Sequence, residues 1–270
     1  MRLAVQFHRI GRIYGPGMPS VEDEGLVERT LELEVRRTAL VSVHCWNVGE
    51  PDGPYPIEEG TRCPGTPADW VAIAHGIIRD RIRPVVQAAR LSEMPVFHLA
   101  QSGYARKYPQ YAAIAADPDL QEPEGLKVEG CVRRRDPRAK WDDQYGPEFP
   151  GPVWVTHPDT FDIAKNVRPI DNEPVFLTGV QLNGLCRRND IDTLIYVGFM
   201  ADLCLVNISG AIREMTNRFG YRCIVLRDCT TAYEYADTVN GQWMTRTAIR
   251  SIEADGGYSA TSDAFIAALA

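Results

Sequence analysis

Cys204 is the residue whose setting points most directly to chemistry. It follows the run Gly198-Phe199-Met200-Ala201-Asp202-Leu203, where an apolar strand signal ends and an amphipathic helical stripe begins. A thiol in the first turn of a helix faces free backbone N–H groups and the positive end of the helix dipole. Both favour thiolate over thiol and so activate a nucleophile. The same N–H groups can hold the oxyanion of a tetrahedral intermediate. The alternative is a small buried core residue, the usual fate of a free cysteine. Asp202 reads as a cap for the helix that follows, and its charge would oppose thiolate formation. His44 and Cys45 are neighbours on a predicted strand, so their side chains face opposite ways. With His98 they make no credible ligand set, and no metal or other cofactor is expected.

Elements must place that cysteine. Thr38–Trp46, Met94–Leu99, Phe161–Val167, Thr193–Phe199 and Arg222–Arg227 read as strands, with a further short strand near the chain end. Between them, Thr66-Pro67-Ala68-Asp69 marks a helix start, with Thr66 as N-cap and Pro67 at the first helical position. Pro84 is expected to break that helix. Thr178-Gly179-Val180-Gln181 matches a capping box. Leu205, Ile208, Ile212 and Met215 form a stripe ending near Gly220. Strands alternating with helices predict a parallel sheet covered on both faces, with ligands bound at the carboxyl ends of the strands. The first 37 residues read as an extension. Residues 38–270 read as a single domain, with an irregular insertion at about 100–160.

The 270 residues carry a formal charge of −7, with 44% hydrophobic and 24% charged residues. That balance excludes collagen-like and wholly disordered chains. It lacks the basic excess that phosphate neutralisation needs, so no nucleic-acid partner is expected. No stretch approaches the roughly 18–20 apolar residues of a membrane span. Arg2, His8 and Arg9 interrupt any leader-like run, so a cytoplasmic location is expected. Seven cysteines, an odd count with no C-x-x-C pair, argue against a disulfide framework.

The segment GFMADLCLVNISGAIREMTNRFGYRCIVLRDCTTA resembles the signature of the isochorismatase-like cysteine hydrolases. Gly198, Cys204, Gly220 and Asp228 fall in register with it. The resemblance spans about residues 38–250 and is weak between 100 and 160. It implies an α/β fold, a three-layer α/β/α sandwich around a six-stranded, mainly parallel sheet. It also implies a Cys, Lys and Asp triad that hydrolyses amide-type C–N bonds. Cys204 takes the nucleophile's place and Lys165, at the end of FDIAK, the cation's. The Asp position falls on His44 in ALVSVHCWN, with Trp46 in place of a usual Gln and Asn47 retained. Histidine can shuttle a proton near neutral pH, with an unperturbed pKa of about 6.5.

The sequence thus predicts a hydrolase of a small amide or ureido substrate, acting through a thioester on Cys204. Lys165 would steady the anion, and His44 would serve as base and then acid. Backbone N–H groups of Met200, Ala201 and Cys204 would form the oxyanion hole. Trp46, Asn47, Tyr104 and Phe199 are candidates to line the substrate pocket. A homodimer or homotetramer is expected. Loss of the Asp keeps a second reading open, a non-catalytic member that binds a ligand or partner.

Overall fold

Two apolar runs, Thr38–Val43 and Thr193–Gly198, are buried along their whole length. Strands that are apolar on both faces need cover on both, which a parallel sheet between helices supplies. The computed structural model describes residues 1–9, 25–60, 62–67, 69–122 and 145–270, so Cys131 and the middle of the expected insertion lie outside the described residues. The strands are β1 (Arg2–Arg9), β2 (Gly25–Glu32), β3 (Thr38–Val43), β4 (Val96–Leu99), β5 (Val175–Phe176), β6 (Thr193–Gly198), β7 (Arg222–Leu226) and β8 (Tyr258–Ala260). They form one sheet in the order β2-β1-β8-β7-β6-β3-β4-β5. β3 to β8 are mutually parallel, whereas β1 is antiparallel to both its neighbours.

Side chains alternate between the faces with period two. Leu40, Ile195 and Val197 pack with Ile78, Ile82, Val85 and Val86. Ala39, Val41, Val43, Leu194 and Tyr196 pack with Leu182, Leu185 and Met215 on the other face. This is the expected α/β/α arrangement, with eight strands among the described residues rather than six. The two additional strands come from residues set apart as an extension, and Leu3 and Val5 of β1 are buried.

Three local expectations change. Phe161–Val167 is not a strand; it makes one antiparallel bridge, Ile163 to Trp46, and a 3-10 turn at Lys165–Val167. Val175–Phe176 fills that place in the sheet, too short to show a period. The helix after β3 begins at Trp70, not Thr66. Pro84 does not break it. The helical path widens to a π turn over Ile78–Ile82 and continues as Arg83–Leu91. Proline lacks an N–H and crowds the carbonyl four residues back, and a widened turn relieves both. The Thr178 capping box forms as expected, over helix Gly179–Arg188.

One polar cluster clamps the sheet edge. Glu173 accepts from Arg90 Nε at 2.7 Å and Nη2 at 2.8 Å, and from His98 Nε2 at 2.8 Å. Burial alone would raise the Glu173 pKa, but these hydrogen bonds outweigh it and hold the group at about 2. A depressed carboxyl contributes stability above its unfolded value of 4.5 and loses it as pH falls towards 2. Glu173→Ala strands the Arg90 charge and should cost about 3 kcal/mol at pH 7 in urea unfolding. Its acid-unfolding curve should also be flatter than the parent's between pH 4.5 and 2, the interval in which the parent carboxyl binds its proton.

Candidate active site

The sheet order reverses direction between β3 and β6: β3, β4 and β5 run outward on one side, β6, β7 and β8 on the other. Ligands of open parallel sheets bind at the carboxyl ends of the strands flanking such a reversal. His44 follows β3, and the Phe199–Cys204 turn follows β6. Val43 pairs with Gly198, and the Phe199 N–H donates to the Val43 carbonyl at 2.9 Å. Gly198 permits that approach. Its φ is +112°, and a Cβ there would lie 1.9 Å from the Val43 oxygen.

His44 has left the strand, with φ of 48°. Its N–H donates to the Leu99 carbonyl at 3.2 Å. The ring is buried and stacks on Trp46 at 5.3 Å and 22°. Burial lowers its pKa to about 4, against a smaller opposing effect of a hydrogen bond with the Ala100 backbone. The imidazole is therefore neutral through the physiological range, and its Nδ1 has no hydrogen-bond partner among the described residues. The unperturbed value of about 6.5 on which the expected proton shuttle rests is thus lowered to about 4.

Cys204 is half-buried and opens a helix of only four residues, Cys204–Asn207. So short a helix has little dipole to offer. Burial raises the thiol to about 11; a hydrogen bond with the Met200 backbone eases this and the Asp202 charge adds to it. The thiol is thus protonated at neutral pH, and the expectation of a preformed thiolate is corrected. Its activation needs a base. Asp202 does not cap: the flanking residue is Leu203, without a side-chain cap bond. Asp202 is half-buried, its Oδ1 lacks a partner among the described residues, and burial raises its pKa. Of the expected oxyanion donors, Ala201 is engaged already, its N–H donating to the Thr231 carbonyl at 3.1 Å. The Met200 backbone lies at the thiol.

Lys165 is not drawn into this group. Its backbone N–H donates to the buried Glu50 carboxylate at 3.1 Å, while its side chain is exposed and makes no hydrogen bond or ion pair among the described residues. The strand end that was to aim it at the cleft does not exist. Lys165→Ala should therefore change turnover by less than about threefold, well below the 10²-fold or more of a group in proton transfer; steady-state rates on any substrate check this.

The expected pocket residues divide. Trp46 sits in an aromatic box, 6.2 Å from Trp70 and 6.0 Å from Phe161. Phe199 meets Trp70 edge-on at 5.7 Å and is fully buried. Tyr104 is buried against Phe161 at 5.3 Å. Asn47 is a clasp rather than a ligand: Nδ2 donates to the Thr160 carbonyl and Oδ1 accepts the Asp162 N–H, both at 2.8 Å. Asp228 accepts from Ser262 N–H at 2.8 Å, holding the last helix. Trp70, Phe161 and Tyr233 escaped the sequence reading because they lie far apart in the chain and on ordinary apolar stripes. Among the described residues, Trp46 Nε1, Trp70 Nε1 and His44 Nδ1 are buried without hydrogen-bond partners. Buried polar groups are normally satisfied. The three gather around Trp46, which stacks on His44 and lies 6.2 Å from Trp70, and mark a place built for polar contact. Among the described residues no three His, Cys, Asp or Glu side chains converge to hold a metal. No helix among them is long and apolar enough to cross a membrane.

Residues 74–263 match the isochorismatase domain. The chain belongs to the isochorismatase family. The match begins past β3, so His44 lies outside the matched residues. No curated protein matches the chain. Among solved structures it is similar to a cysteine hydrolase from Pseudomonas syringae pv. phaseolicola 1448A, 19% identical, covering 88% of this chain and 94% of that one, with TM-score 0.49. It is similar to an isochorismatase family protein from Desulfovibrio vulgaris subsp. vulgaris str. Hildenborough, 17% identical over 87% and 98%, with TM-score 0.48. An N-carbamoylsarcosine amidase from Thermoplasma acidophilum is 18% identical over 84% and 97%, with TM-score 0.41.

Proposed function

We propose that this isochorismatase-family chain hydrolyses a small amide or ureido C–N bond through a thioester on Cys204. The observation that carries the reading is the reversal of sheet order, which sets neutral His44 and the Cys204 turn at the ends of paired strands. A protonated thiol needs a base, and a neutral imidazole with an unpartnered Nδ1 is one.

His44 takes the thiol proton as Sγ attacks the carbonyl carbon. The oxyanion forms beside the Met200 backbone. The imidazolium then protonates the departing nitrogen, the C–N bond breaks, and an amine or ammonia leaves. His44 next takes a proton from water, hydroxide oxygen attacks the thioester, and the C–S bond breaks. The sulfur recovers its proton from His44, and the acid or carbamate leaves. Imidazolium is expensive in this buried setting, which keeps its lifetime short and favours passing the proton on.

The test is a panel of small primary amides, N-alkyl amides and ureido acids, with ammonia or amine release as the readout. A raised thiol pKa and an exposed Lys165 favour the other reading, a ligand-binding member without turnover. Binding to the panel with no amine released would decide for it.

A further inference from the structure

A cavity of about 690 Å3 opens beside the Cys204 turn. Its walls include Trp70, Tyr145, Tyr233 and Tyr235, with the carboxylates of Asp69 and Glu234. No Lys, Arg or His lines it among the described residues. The volume is that of a small-molecule site.

The cavity is stitched to the turn. The Thr231 carbonyl, in its wall, accepts the Ala201 N–H at 3.1 Å. Trp70 touches Phe199 edge-on at 5.7 Å and Tyr233 at 5.1 Å. On the opposite side, Gly65 lets the Tyr145 wall close. Its φ is +73°, and a Cβ there would fall 3.1 Å from the Tyr145 ring and 2.9 Å from Phe149. Glu234 is fixed in place: Oε1 accepts from the Thr245 N–H at 2.9 Å and Oγ1 at 2.8 Å, and Oε2 from the Met244 N–H at 3.1 Å. Those donors are neutral. Neither Glu234 nor Asp69 has an ion-pair partner among the described residues. The site thus offers aromatic faces together with two carboxylates, Asp69 exposed and Glu234 held ionised at the N-terminus of the helix Trp243–Ala254. That combination attracts an organic cation, whose positive charge the ring quadrupoles and carboxylates both stabilise. An anionic group would meet Asp69 and Glu234, with no basic side chain among the described residues of the wall to answer it.

We infer that this cavity holds an organic ammonium group, protonated or quaternary, at the far end of the amide cleaved at Cys204. The inference rests on the hydrolase reading for its second half, and binding tests it separately. Calorimetric titrations compare choline with its uncharged isostere 3,3-dimethylbutan-1-ol, and with acetate, on the intact chain. Choline should bind about tenfold more tightly than the isostere, in the range of a partly desolvated cation–π site. Acetate should bind more weakly than either. Asp69→Asn and Tyr235→Ala, both at exposed positions, should each weaken choline several-fold, whereas Cys204→Ala should leave it unchanged. Equal binding of choline and the isostere, tighter binding of acetate, no saturation by choline at millimolar concentration, or indifference to both wall variants would each overturn it. Choline binding by a chain that hydrolyses nothing would keep the cavity's role and sink the hydrolase; turnover of uncharged amides without choline binding would do the reverse.

Discussion

Cys204→Ala is expected to lower amide hydrolysis by at least about 10³-fold, the scale of losing a nucleophile that acts as a unit with its base. The fold should survive. The side chain is only half-buried, and alanine removes one atom from a turn held by backbone bonds, with the Met200 carbonyl accepting from Leu203 and Leu205 at 3.1 Å each. Thermal melting should shift by no more than a few degrees, as for a change of under about 1 kcal/mol. Cys45, Cys186 and Cys223 provide the control. Burial raises each of these thiols to about 12, and alanine there should change stability and not rate.

His44→Ala should cost about 10²–10⁴-fold in rate, the usual range for a general base. The pH dependence separates this from a packing defect. With the imidazole held at about 4, the parent rate should be flat from pH 5.5 to 8 and fall only as pH approaches 4, where protonation removes the base. His44→Asp carries a carboxylate to a position whose φ of 48° an aspartate tolerates. Burial raises a carboxyl from its ordinary value of about 3.9. That variant should keep turnover, with its acid limb moved upward. Stability follows the same linkage. A histidine lowered on folding costs stability as pH drops from its unfolded value of 6.5 towards 4, so His44→Ala should lose that part of the parent's acid sensitivity. Rate profiles and melts on the three proteins check both. An active His44→Ala with an unchanged profile would remove the residue from the mechanism.

The residues that were legible from sequence were those with local signatures. The Thr178 box needs only four neighbours in the chain, and β3 and β6 announce themselves by unbroken apolar runs. Gly198 and Cys204 keep a fixed spacing across one turn. What sequence hid depended on contacts distant in the chain or on cancelling physical effects. The helix dipole expected at Cys204 scales with helix length, and four residues supply too little to offset burial. FDIAK alternates as a strand ending at Lys165 would, yet among the described residues its segment makes one bridge, to Trp46, and then turns. Asn47 carried a polar group of the right kind, but Thr160 and Asp162 use both ends of its amide. The aromatic box combines residues from 46 to 233, a grouping that no window along the chain can show.

The most direct test is to look for the thioester itself. Acid-quenched single turnovers of the active amide, followed by digestion and mass spectrometry, should show an acyl increment on the peptide containing Cys204. The adduct should be released by hydroxylamine, appear before the acid product, and be absent from Cys204→Ala. It should accumulate faster at pH 7 than at pH 4, where His44 is increasingly protonated. Amine release with no acyl increment on any cysteine, at a rate that Cys204→Ala preserves, would contradict the thioester mechanism.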